Sequence, residues 1–106
     1  MKPFIFVLAV VVVTISFPVF GCDQGASRKV QGMMRDMGSW QEKSGVITFK
    51  WKADWDQLSP DERLGLIRGF ADSDACLTGR PREISFYRMG KLVGKASPAA
   101  GIRLIQ

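Results

Sequence analysis

Three pairs of closely spaced acids and two cysteines are the residues of this chain that chemistry could use: Asp54/Asp56, Asp61/Glu62 and Asp72/Asp74, with Cys22 and Cys76. Paired carboxylates can serve as general acid and base, or supply oxygens to calcium. Around Asp54-Trp55-Asp56 the spaced ligands and glycine of an EF-hand loop are absent. Asp61 and Glu62 follow Ser59-Pro60, the arrangement in which acids cap a helix. Asp74 falls on the apolar side of that helix, where a carboxylate needs a partner such as an arginine. The chain has no histidine, which removes the commonest general base, the commonest zinc ligand and every Ser/His or Cys/His pairing. No serine sits in a nucleophile elbow, and Gly65 and Gly69 lie inside a helix, not in a phosphate loop. The sequence therefore predicts no enzyme: no catalytic residue, no cofactor and no metal site.

The first 21 of the 106 residues carry a different message. Lys2 precedes an apolar run from Phe4 to Phe17, Pro18 breaks it, and Gly21 stands before Cys22. A basic start, an apolar stretch and a small residue at a cut site read as an export signal over 1–21. Val19-Phe20-Gly21-Cys22 resembles the lipobox of bacterial lipoproteins, on these four residues and the apolar run before them. The resemblance implies lipidation of Cys22 and anchoring to a membrane of the cell envelope. Two other outcomes stay open: ordinary cleavage after Gly21, giving a soluble periplasmic or secreted protein, and retention of the apolar run as an anchor. A lipidated Cys22 has no sulfur to share, so Cys22 and Cys76 are expected not to pair. Their Cα atoms should then lie beyond the ~7 Å limit for a disulfide, with the chain before residue 30 poorly packed.

Charge is unevenly spread. Fifteen basic side chains outnumber ten acidic ones, and the excess persists once Lys2 leaves with the leader. Residues 53–79 hold six acids and two bases, whereas 80–106 hold six bases and one acid. A basic C-terminal part beside an acidic helix suits an anionic envelope polymer or protein. The candidate interaction surface is Lys50, Lys52, Arg82, Arg88, Lys91, Lys95 and Arg103. No motif supports nucleic acid as a partner.

The elements that must position these side chains can be read from periodicity. Val30, Met33, Met34 and Met37 recur at helical spacing, predicting a short amphipathic helix over about 28–37 that Gly38 stops. Ile47, Phe49, Trp51, Ala53 and Trp55 alternate with polar residues, predicting a strand with one buried face. Ser59 at the N-cap, Pro60 at N1 and Glu62 at N3 open a second helix, which Gly79 ends. Its Leu66, Ile67, Phe70 and Leu77 should face the sheet. Glu83–Tyr87 and Leu92–Ala96 flank a Met-Gly turn and read as a hairpin, with Ile102–Ile105 as a closing strand.

The expected architecture is α+β: a small β-α-β-β domain over 45–106, an antiparallel sheet covered by one helix. It follows the signal helix and a tether with a short amphipathic helix over 22–44. Gly65, Gly69 and Cys76 share a helix stripe away from the sheet, where each glycine costs about 1 kcal/mol relative to alanine. That stripe is expected to be a close-packing surface for the N-terminal helix or for a second copy in a homodimer. The predicted function is a small exported envelope protein acting as a non-catalytic binding or interaction module. The alternative is an accessory or inhibitor-like protein that docks on one partner enzyme through its sheet edge.

Overall fold

The computed structural model describes residues 22–105; the predicted signal over 1–21 lies outside the described residues. Helix α1 (Gln24–Met37) starts at Asp23, whose side chain accepts from the Ala26 N–H at 3.1 Å, and stops at Gly38. It begins four residues ahead of the expected helix and takes up most of the presumed tether. Its apolar side turns inward: Met34 is fully buried, with Val30 and Met37 packed against the core.

Strands β1 (Gly38–Lys43) and β2 (Val46–Trp51) form a hairpin through Ser44-Gly45, both at positive φ. The alternation expected to run to Trp55 ends at Trp51, because a 3-10 turn over Ala53–Gln57 folds the chain back. That turn still buries Trp55, stacking it on Trp51 at 4.6 Å between ring centres. Helix α2 (Pro60–Thr78) has the full capping box: Ser59 Oγ accepts from the Glu62 N–H at 3.2 Å, and Glu62 Oε1 accepts from the Ser59 N–H at 2.8 Å. Gly79 closes it at φ 88°, in the left-handed region that glycine enters without a steric penalty. Strands β3 (Glu83–Arg88), β4 (Lys91–Ser97) and β5 (Gly101–Leu104) complete the chain as a meander.

The sheet order is β1-β2-β3-β4-β5, and β2 pairs with β3 in parallel while the other pairs are antiparallel. A parallel neighbour needs a crossover, which α2 provides. The fold is thus a small α+β domain with a five-stranded mixed sheet and two helices. Two expectations are corrected: the sheet is mixed, not antiparallel, and two helices cover it, not one. The presumed tether over 22–44 contributes α1 and the edge strand β1 to the same two layers.

The core lies between the helices and one sheet face. Met34, Ile67 and Phe70 descend onto Ile47, Phe49, Trp51, Ile84, Phe86 and Ala96. Phe49 is its hub, with the rings of Trp51, Phe70, Trp40 and Phe86 centred 4.6 to 5.5 Å away. Such offset and edge-on pairs add about 0.5–1.5 kcal/mol each beyond the area they bury. At Gly38 a side chain would collide with the Phe49 ring and the Lys50 carbonyl oxygen, so the first core-facing position of the edge strand has room only for hydrogen.

Candidate functional site

The helices cover one face of the sheet and leave the other open. Because successive strand residues point to opposite faces, burial of Ile47, Phe49 and Trp51 puts Val46, Thr48 and Lys50 on the open side. Register extends this face across the strands. Thr48 is opposite Ser85, Ser85 opposite Lys95, and Lys95 opposite Arg103. In the neighbouring row Ser39 is opposite Lys50, Lys50 opposite Tyr87, and Tyr87 opposite Leu92. Lys43 enters from β1, opposite Val46. The acid of this face is Glu83, whose Oε2 lies 3.6 Å from the Lys95 ammonium. The open face therefore carries a surplus of positive charge among hydroxyl side chains.

Of the seven expected interaction residues, the structure brings Lys50, Lys95 and Arg103 together here. Arg82 and Arg88 do not join them on this face, although Arg88 lies with Lys50 around a cleft at the end of β2. Arg88 shares the inward parity of Ile84 and Phe86, and both its Nε and Nη2 donate to the Asp56 carboxylate, at 3.2 and 2.9 Å. This pairing holds the Asp56 carboxyl below the usual carboxylate range and raises the Arg88 guanidinium further. Arg82 makes the same side-on contact with buried Asp74 and is likewise raised, chiefly by that hydrogen bond. The partner that Asp74 needed is thus an arginine. Lys52 sits beyond the end of β2, where its N–H donates to the Met37 carbonyl at 2.8 Å, and Lys91 begins β4 opposite Arg88. Lys43 was missed, although it stands two places after Gln41 in strict alternation.

Cys22 and Cys76 are joined in a disulfide with Cα atoms 5.6 Å apart, which corrects the expectation that they stay separate. The reason lies in α1: instead of a loose tether, a helix capped by Asp23 packs along α2 and delivers Cys22 to the bridge. Gln31 Nε2 donates to Ser73 Oγ at 2.7 Å in the same interface. The sulfur that lipid attachment would consume is the one in this bridge. Among the described residues nothing packs on Gly65 or Gly69, since a Cβ built at either meets nothing within 4 Å, so α1 does not cover them. Helix α1 and its lead-in meet α2 through Gln31 at Ser73 and through Cys22 at Cys76.

The acids considered for chemistry are spread over separate tasks. Asp61 and Glu62 occupy the first turn of α2, Asp56 and Asp74 bind arginines, and Asp54 is exposed on the 3-10 turn. Comparison with known proteins finds no matching family model, no matching curated protein and no matching solved structure. No relative's chemistry carries over to these residues.

Proposed function

We propose that this protein is a small exported, non-catalytic binding module that engages an anionic partner of the cell envelope through the open face of its sheet. The observation that carries this reading is the convergence of Lys50, Lys95 and Arg103, with Lys43 at the margin, on the sheet face that neither described helix covers. An exposed cationic surface attracts a flexible polyanion through many weak contacts and needs no deep pocket.

The disulfide supports the soluble variant of export over the lipid-anchored one. A bridge between Cys22 and Cys76 suits an oxidising compartment, and it uses the sulfur that the lipoprotein reading requires. Ordinary cleavage after Gly21 and a periplasmic or secreted location follow as the reading. A second reading, docking on one partner protein by strand addition, draws on the two sheet edges that β1 and β5 present.

The test is titration with poly-L-glutamate at low and high salt. Binding should fall as salt rises, and Lys50→Gln/Lys95→Gln/Arg103→Gln should weaken it by roughly a hundredfold, on a scale of ~1 kcal/mol per basic side chain near an anionic surface. Binding that ignores both salt and the triple substitution would overturn the open-face reading. Loss of a captured envelope protein on Gln41→Pro in the edge strand, with poly-L-glutamate binding absent, would favour strand addition instead.

A further inference from the structure

Three features that folding does not explain meet at one place. The turn between β3 and β4 is Met89-Gly90, both at positive φ, 51° and 78°. Two-residue hairpin turns of this kind favour asparagine, aspartate or glycine at the first position; an unbranched apolar side chain there is strained. Met89 gains no burial in return, since it is 84% exposed. Nearby, the indole N–H of Trp51 is the one buried side-chain polar group among the described residues without a hydrogen-bond partner. Buried donors are normally satisfied, because an unpaired one forfeits the hydrogen bond it made to water. Between these residues lies a cleft of about 560 Å³, lined by Thr48, Lys50, Trp51, Tyr87, Arg88 and Met89. That volume falls within the range of small-molecule sites.

The charge of the lining is one-sided. Lys50 and Arg88 are cationic, the Thr48 and Tyr87 hydroxyls can donate or accept, and no carboxylate is among the lining residues. Asp56 engages Nε and Nη2 of Arg88, which fixes the guanidinium plane and leaves Nη1 for an occupant. Trp51, Tyr87 and Met89 add flat or adaptable apolar surface. A local rule broken at an exposed methionine, beside an unpaired donor and a cationic wall, marks a binding site.

We infer that this cleft binds a small organic anion: a carboxylate, sulfonate or phosphate carried on a flat apolar body. The anionic end lies toward Lys50 and Arg88, and the apolar body lies between Tyr87 and the Met89 side chain, which the strained turn holds over the opening. The inference deepens the open-face reading, from which it takes the anionic character of the partner and the shared Lys50, and it names a discrete ligand class for one end of that face.

Anilinonaphthalene sulfonate and the neutral phenylnaphthylamine have the same flat body with and without the anion, and they make a matched pair of probes. The sulfonate should bind saturably at one per chain and shift the Trp51 indole signal in a proton–nitrogen correlation spectrum, while the neutral probe binds at least about tenfold more weakly. Met89→Asn is the decisive variant: asparagine tolerates the left-handed turn, so the fold is kept or strengthened while the apolar flap is lost. It and Lys50→Gln should each weaken the sulfonate about tenfold, and Lys95→Gln/Arg103→Gln should leave it unchanged. Equal binding of the two probes, full affinity in Met89→Asn, or loss of the sulfonate in Lys95→Gln/Arg103→Gln would each overturn the cleft. Poly-L-glutamate on the same samples separates the two readings. If it fails while the sulfonate behaves as stated, the open-face reading falls alone; if it binds while the sulfonate does not, the cleft falls alone.

Discussion

Asp74 and Arg82 meet side-on across the connection from α2 to β3, with Nη2 2.7 Å from Oδ1 and Nε 3.0 Å from Oδ2. The carboxylate is buried and the guanidinium only partly so. Removing the arginine takes away both side-chain hydrogen bonds that the carboxylate makes. We expect Arg82→Met to destabilise the protein by roughly 3 kcal/mol, and Asp74→Leu/Arg82→Met to recover most of that loss, because two apolar groups leave nothing unpaired. Urea unfolding of the two variants measures this; a double variant as unstable as the single one would show that the pair does more than satisfy itself.

The disulfide closes a loop between residues 54 apart in sequence. In the chain-entropy model that restricts the unfolded chain by about 4 kcal/mol. Cys22→Ala/Cys76→Ala, and the wild type under reductant, should both unfold at clearly lower urea, with similar midpoints. An unchanged midpoint would mean that α1 holds to α2 without help from the bridge. The mass of protein exported by its native host provides a separate check: a chain beginning at Cys22, two hydrogens short and without acyl groups, is the expected species.

Glycines on α2 and on the sheet should respond in opposite directions. Gly65→Ala and Gly69→Ala add a methyl into open space and remove chain entropy only from the unfolded state, so each should stabilise by about 0.5–1 kcal/mol. Gly38→Ala would push a Cβ into the Phe49 ring and the Lys50 carbonyl, and should destabilise by about 1–3 kcal/mol. Thermal melts of the three variants decide it. Destabilisation by Gly65→Ala would mean that something packs on that stripe after all.

Acid should release the Asp56–Arg88 pair. Because Arg88 holds the Asp56 carboxyl below its ordinary value of 3.8, folding favours the ionised form. The stabilisation is complete above the ordinary value and disappears as pH falls through the lower, folded one. Asp56→Asn should therefore be less stable than the wild type near neutral pH, with the difference shrinking as pH falls below 3.8. Since Asp56 is exposed, added salt should shrink the difference.

Local signals carried the sequence furthest. Ser59, Pro60, Glu62 and Gly79 bounded α2 because capping is decided by a few neighbouring atoms. Ile47, Phe49 and Trp51 marked β2 because one face is buried throughout. Strand β1 was invisible for the opposite reason: at the sheet edge its inward residues are Gly38, Trp40 and Glu42, so its six residues read as polar. Nor does any residue of β2 or β3 state that they pair in parallel; the crossover helix between them decides it. At the candidate site, parity alone separates Lys50, Lys95 and Arg103 from Arg88, and that signal was present in the alternation Ile84, Phe86, Arg88. The cleft was hidden because its walls come from both hairpin-forming halves of the chain, and the strain at Met89 appears only with the backbone.

The parallel pairing of β2 with β3 also orders events in time. The β1–β2 hairpin and the β3–β4–β5 meander each close through turns of a few residues, whereas Val46 finds Glu83 only after α2 has crossed the sheet. Contacts between sequence neighbours form early and distant ones late, so we expect this junction to be the slow step of assembly. Cys76 sits near the end of α2, shortly before β3, and its bridge to Cys22 draws the start of the first half toward the start of the second. Oxidation before docking would raise the effective concentration of one half for the other and turn the slowest encounter into a short search.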